Sequence, residues 1–159
     1  MMQESEFERL YAAHAERLFS FLVYRTGDRA LAEDLVADTF VRAMNARRRF
    51  DRRRGAETTW LYTIALNLLR DHGRRRAAEN RALERHEHPN PEPAAEAVEA
   101  GSDLQRALAR LSVEEREALA LRFGADMTVP EIAKLRKERL STIEGRVYRA
   151  LRKLRDELS

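Results

Sequence analysis

Cysteine is absent from the 159-residue chain. That excludes disulfides, thiolate nucleophiles and Cys-ligated zinc or iron–sulfur centres, and it fits a reducing compartment. Glycine and proline are scarce, at 6 and 4, so the turn punctuation that an all-β fold of this size needs is missing. No stretch approaches the roughly 18 uninterrupted apolar residues of a membrane span. The opening MMQESEFERL carries acids where an export signal needs an apolar core. The expectation is a cytoplasmic, helical protein with no membrane insertion. What is present in quantity is charge, 36% of residues, beside 43% hydrophobic residues, enough for one domain or two small ones.

The net charge of +3 conceals a segregation. Residues 1–75 carry +3, residues 76–103 carry −4 and residues 104–159 carry +4. Two basic blocks flanking an acidic one accompany polyanion binding by the ends, and solvated helix faces joined by a tether give the same pattern. Lysine is confined to Lys134, Lys137 and Lys153, so the basic charge is almost all arginine. Arginine's planar fork suits phosphate and guanine edges, although GC-rich coding produces the same bias.

Ser5 and Glu8 have the spacing of a capping box, and Phe7, Leu10, Tyr11, Leu18, Phe21 and Leu22 form one apolar stripe ending near Gly27. Asp28 can cap a second helix with Leu31, Leu35, Phe40, Ala43 and Met44 inside, giving an antiparallel hairpin. RRRFDRRRG, residues 47–55, has no periodicity and reads as an exposed loop. A third helix, capped by Thr58 or Thr59, buries Trp60, Leu61, Ile64, Ala65, Leu68 and Leu69 and runs out into Arg74, Arg75 and Arg76. Residues 79–102 hold Pro89, Pro91 and Pro93 amid Glu and Ala, a composition that neither propagates a helix nor buries a core, so they read as a flexible acidic linker between parts that move independently.

Helical signals resume at Asp103. Ser112 with Glu115 and Thr128 with Glu131 are further capping boxes, Gly124 is placed to end a helix, and Pro130 sits in a first turn. The short helix VPEIAKL, a polar break over residues 136–139 and a basic C-terminal helix, with Ile143, Val147, Ala150, Leu151 and Leu154 on one side, form a helix-turn-helix pattern. Its basic side holds Arg146, Arg149, Arg152, Lys153 and Arg155, which can face phosphates; an ordinary three-helix bundle with charged outer faces shares the pattern. The fold expected is all-α, two small helical domains joined by a linker, with residues 1–78, 79–102 and 103–159 as its parts.

Signatures of catalysis are missing: no phosphate-cradling glycine loop, no H-E-x-x-H and no Cys. His86-Glu87-His88 lacks a third ligand and reads as a solvated turn rather than a metal site. Glu33, Asp34 and Asp38 place carboxylates on successive turns of the second helix, which reads as a charged docking face. No cofactor, metal or enzymatic activity is expected.

AEDLVADTFVRAMN (32–45), WLYTIALNLLRDHGRRR (60–76), EREALALRFG, VPEIAKL and VYRALRKLRDEL, in this order, resemble the extracytoplasmic-function (ECF) sigma factors, the small two-domain initiation subunits of bacterial RNA polymerase. The resemblance covers nearly the whole chain apart from the linker. It implies that Glu33, Asp34, Asp38, Phe40, Arg42 and Asn45 bind the β′ clamp of core RNA polymerase, with the β flap as a further contact. It implies that the third helix and the loop before it melt and read the minus-ten element of promoter DNA. Phe50 and Trp60 offer stacking surfaces, and Arg52, Arg53, Arg70, Arg74 and Arg75 can follow single-strand phosphates. Trp60 is equally readable as core. Asn67 matches a position that contacts the non-template strand. An anti-sigma factor is the partner the resemblance adds.

The C-terminal domain resembles the reader of the minus-thirty-five element, with Thr142, Glu144, Arg146, Tyr148 and Arg149 as candidate contacts. It departs from the family at the turn. In register, Lys137 replaces a Gly, Glu138 a buried apolar residue, Arg139 a cap Ser and Glu144 a Lys or Arg. A lysine forced to positive φ costs about 1 kcal/mol unless the turn is rebuilt. The expectation is a recognition helix starting about two residues later, on a capping box of Ser141 and Glu144, with Leu140 as the apolar plug. Glu144 is then structural, or else accepts from a cytosine amine. The function expected is promoter-specific initiation with weakened or altered upstream recognition. The alternatives are a sigma-like decoy for an anti-sigma factor and a free-standing helix-turn-helix regulator.

Overall fold

In the computed structural model, which describes residues 4–51, 53, 56–85 and 102–158, every regular element is helical. Helices α1 (Glu4–Thr26), α2 (Arg29–Ala46) and α3 (Glu57–Arg85) form the first domain, with a 3-10 turn at Arg47–Arg49. Helices α4 (Asp103–Ala109), α5 (Val113–Leu119), α6 (Val129–Arg136) and α7 (Leu140–Leu158) form the second, with a π turn at Ala120–Gly124 following α5.

The joint of α1 and α2 is tight because Gly27 takes φ 71°, a left-handed conformation that costs glycine nothing. Its N–H donates to the Val23 carbonyl at 2.7 Å. Asp28 then caps α2, its Oδ1 accepting from Leu31 N at 3.0 Å, as the sequence indicates. The stripe residues Leu10, Leu18, Phe21 and Leu22 of α1 are buried against Ala32, Leu35, Phe40 and Ala43 of α2 and Leu61, Ala65, Leu68 and Leu69 of α3. Tyr11 departs from its stripe and is exposed, with its ring edge-on to Phe40 at 4.7 Å between centroids.

Two helix starts differ from expectation. Ser5 lies inside α1 rather than before it, and α3 begins at Glu57, so Thr58 and Thr59 are inside its first turn; Trp60 N bonds the Ala56 carbonyl at 3.1 Å. Helix α3 also continues past residue 79 to Arg85. Ala77, Ala78, Ala82 and Leu83 are strong helix formers, and the prolines that stop helix begin only at Pro89. The rest of the expected linker, residues 86–101 with the His86-Glu87-His88 cluster, lies outside the described residues.

In the second domain the two boxes at Ser112/Glu115 and Thr128/Glu131 both close reciprocally. Glu115 does more than cap: burial pushes its pKa up, but the Lys153 ammonium at 2.8 Å and the Ser112 bonds bring it below the usual carboxylate value. The domains are in contact rather than apart. The π turn, closed by Ala125 N to Ala120 O at 3.0 Å, brings Gly124 onto α1. A Cβ on Gly124 would lie 2.8 Å from Phe21 Cα, so backbone meets backbone there and only glycine fits. Beside it, Arg116 Nε donates 2.7 Å to the Tyr24 carbonyl in the last turn of α1. Burial lowers the Arg116 pKa to about 10.

Candidate nucleic-acid interface

One exposed face of α2 carries Glu33, Asp34, Asp38, Arg42 and Asn45, which a helical repeat brings to the solvent side while Ala32, Leu35, Thr39 and Ala43 face inward. Phe40 belongs with the inward set. It is 5% exposed and packs edge-on to Phe7 at 6.2 Å, so it supports the face from behind instead of lying on it. Thr39 is fully buried and satisfies its hydroxyl on the Leu35 carbonyl at 2.6 Å.

The arginine-rich segment is not uniformly an exposed loop. Arg47 turns back to the Met44 carbonyl at 2.9 Å, and Phe50 is buried with its ring 4.8 Å from that of Trp60. The apolar side chain between the arginines thus anchors the segment to the core, and Phe50 offers no free stacking surface. Trp60 is half-buried, with one side on Phe50. Arg53 is exposed, held by its N–H to Asp51 Oδ1 at 2.9 Å; Arg52 lies outside the described residues.

Along α3, Asn67, Arg70 and Arg74 follow each other at three- and four-residue steps and are exposed, with Arg75 beside them. They make a continuous polar and cationic stripe opposite Leu61, Ala65, Leu68 and Leu69. Tyr62 and Leu66, absent from the expected stripe, are buried too. Leu66, Leu69 and Arg70 share a cleft with Arg25, Glu117 and Arg136, so the apolar face of α3 is wider than the first domain alone requires.

The helix-turn-helix departs from expectation at its turn. Lys137 adopts φ 55°, ψ 43°, so the backbone keeps the left-handed bend and a lysine bears its cost. Glu138 N donates to the Ala133 carbonyl at 3.0 Å and Lys137 N to Lys134 O at 3.4 Å, a Schellman closure of α6. Helix α7 starts at Leu140, with Arg139 O accepting from Thr142 and Ile143. The later start on a Ser141–Glu144 box does not form, and both side chains are exposed. Leu140 is 45% exposed and plugs nothing. Leu151 is likewise exposed, while Ile143, Val147 and Ala150 are buried.

In place of an apolar plug stands an ion-pair chain. Glu138 Oε2 lies 2.7 Å from Arg146 Nη2 and its Oε1 lies 3.5 Å from Arg136 Nε. Arg136 Nη1 continues to Glu117 at 2.8 Å, and Glu117 to Arg25 of α1 at 3.4 Å. The Arg146 bond holds the Glu138 carboxyl below its usual value and raises the Arg146 pKa in turn. Of the expected contacts on α7, Tyr148, Arg149 and Glu144 face solvent, Thr142 is half-buried and Arg146 is turned to Glu138. Sequence reasoning missed Glu117 and Arg136, because partners 19 positions apart, on separate helices, leave no helical spacing to read.

The Sigma-70 region 2 family profile matches residues 10–79, and the Sigma-70 region 4 profile matches residues 102–154. The RNA polymerase sigma factor CarQ of Myxococcus xanthus is 32% identical over 160 residues, covering 98% of this chain and 90% of that protein. The chain is an ECF sigma factor by family. The ECF sigma factor BldN of Streptomyces coelicolor is 31% identical over 154 residues, covering 93% of this chain but 58% of BldN, so the chain spans less than two thirds of that relative. Among solved structures, the sigma factor RpoE of Bartonella quintana, in complex with the anti-sigma factor NepR, superposes with a TM-score of 0.79 at 25% identity over 97% of both chains. Within this ECF sigma factor, α2 and α3 up to Glu79 fall in the region 2 match, and α6, the turn and α7 up to Leu154 in the region 4 match. Among the described residues no helix is long and apolar enough to cross a membrane, and no three His, Asp or Glu side chains cluster as metal ligands.

Proposed function

We propose that the protein binds core RNA polymerase and directs transcription initiation at specific promoters, with no catalytic reaction of its own. The observation that carries this is the exposed Asn67–Arg70–Arg74 stripe on α3, in a domain whose α2 separately presents Glu33, Asp34 and Asp38. One surface is cationic with a base-reading amide and suits single-stranded DNA. The other is acidic and polar and suits the polymerase clamp. Residues 1–78 take the minus-ten role and residues 103–159 the upstream role through α7, where Tyr148 and Arg149 are free to meet a groove. An anti-sigma factor is the natural further partner, since RpoE of B. quintana was solved in complex with one.

Adding the protein to core RNA polymerase and mapping transcript starts tests this. New, discrete start sites that vanish with Asn67→Ala plus Arg70→Ala support it. No new starts, with duplex binding in the absence of core, would instead make the chain a free-standing regulator.

A further inference from the structure

Arg146 lies on the helix expected to enter the DNA groove, one turn before Arg149, yet its side chain is 20% exposed and its guanidinium is spent on Glu138 at 2.7 Å. Glu138 cannot readily follow Arg146 elsewhere. Its backbone is fixed by the Schellman closure on Ala133, and its second oxygen faces Arg136. Arg136 is in turn held by Glu117, which is 8% exposed. The surroundings of Arg146 are acidic, since Glu114 and Glu117 also act on it. Swinging Arg146 to a phosphate exchanges one anion for another and leaves the Glu138 carboxylate pointing toward DNA with half its pairing lost. Such an exchange gains little. Arg149 has no such restraint: its guanidinium lies over Gly145 and is solvent-accessible.

We propose that Glu138 is a positioning residue for DNA recognition: by holding Arg146 within the turn, it withholds that cation from the phosphate backbone and leaves contact to Arg149 and the exposed residues beyond it. This rests on α7 being the DNA-facing helix. Lys137 and Glu138 together then explain how the turn tolerates loss of both a glycine and an apolar plug, the first by strain and the second by an ion pair.

Salt dependence of binding separates the possibilities, because each phosphate contact contributes about one unit to the slope of log affinity against log salt. The probe is a short labelled duplex of mixed sequence, titrated with the full chain at several KCl concentrations. Arg146→Ala is expected to leave the slope unchanged, and Arg149→Ala to lower it by about one unit. Glu138→Gln is expected to raise it by about one unit, and adding Arg146→Ala to Glu138→Gln to restore the original value. A slope lowered by Arg146→Ala as much as by Arg149→Ala overturns the proposal while leaving α7 as the DNA-facing helix. No change with either Arg149→Ala or Glu138→Gln removes α7 from DNA altogether, and the proposal with it. Arg146→Gln, which keeps the packed stem, repeats the measurement if Arg146→Ala melts early. Side-chain NMR of the full chain gives an independent reading: a slowly exchanging Arg146 Nη–H signal that disappears in Glu138→Gln is expected, and its absence in the parent chain overturns the pairing.

Discussion

Arg25 Nε lies 3.4 Å from Glu117 Oε1, across the seam between α1 and α5. Glu117 is thereby shared by an arginine of each domain, Arg25 and Arg136. If the seam opens, Glu117 keeps Arg136 and Arg25 regains water, so the ionic contribution to holding the domains together is small. The seam depends more on the backbone approach at Gly124 and on Arg116 closing the end of α1.

Gly124→Ala is expected to part the domains. Its Cβ meets Phe21 Cα at 2.8 Å, and backbone cannot step aside as a flexible side chain can. A cost of about 1–3 kcal/mol follows from overpacking of this kind. Small-angle scattering should report a larger radius of gyration for the full chain; an unchanged radius with an unchanged melting temperature refutes the close approach.

Phe40→Ala should destabilise the protein by about 3–5 kcal/mol, as for other buried aromatics. Asp38→Ala, two residues earlier but exposed, should leave stability within about 0.5 kcal/mol and weaken core polymerase binding. Urea unfolding and a polymerase pull-down separate the two roles. Equal loss of stability in both would show that the α2 face is not the surface described.

Sequence patterning reached the three-helix domain, the Asp28 cap, two capping boxes and the helix-turn-helix, because each rests on spacing within one segment. It put Phe40 on the inner stripe of α2, where it lies, although the resemblance set it on the docking face, and it misplaced Phe50, since an apolar residue among charges is equally compatible with an exposed anchor and with a core residue. Only the Phe7, Tyr11 and Trp60 rings supplied by other segments decide between them. The turn was misread for a related reason. A Ser141–Glu144 spacing is a local signal for a helix start, but the Schellman closure at Glu138 and the distant carboxylate of Glu117 outweigh it. The α3 stripe of Asn67, Arg70 and Arg74 was legible, whereas the pairing of Arg146 was not.

Tyr62→Phe should raise stability by about 1 kcal/mol. Its hydroxyl is buried with no hydrogen-bond partner among the described residues, and burial pushes its pKa upward. Removing the oxygen abolishes the cost of desolvating it while the ring keeps its place 5.5 Å from Phe21. Denaturant midpoints of the two proteins check this, and a lower midpoint for the variant means that the hydroxyl is satisfied after all.

Lys137→Gly should also stabilise, by about 1 kcal/mol, because glycine takes φ 55° without the steric cost that a side chain bears. The midpoint of urea unfolding should rise with an unchanged m value. A fall would mean that the lysine side chain contributes more than its backbone costs.

His14 gives the stability a pH dependence near neutrality. Burial lowers its pKa from 6.5, against the opposing pull of Glu57. The unfolded chain therefore binds the proton first, and stability falls as pH drops below about 6.5. Glu115 and Glu138, both lowered, add a second loss as pH falls through the carboxylate range. Melting temperatures from pH 7.5 to 5.5 should decline in the parent protein and flatten in His14→Gln; the same decline in both discards His14 as the cause.

The overrun of α3 to Arg85 sets a ruler. From Asn67 to Arg85 the helix advances about 27 Å, at about 1.5 Å per residue. The chain from Arg85 to Ser102 can span at most about 60 Å. Sites named minus ten and minus thirty-five lie about 85 Å apart at about 3.4 Å per base pair, close to the combined reach. Each residue moved from extended chain into helix shortens that reach by about 2 Å. On the proposed roles of the two domains, and once the seam at Gly124 has opened, helix propensity in residues 79–85 would become a determinant of which promoter spacings they can straddle at once.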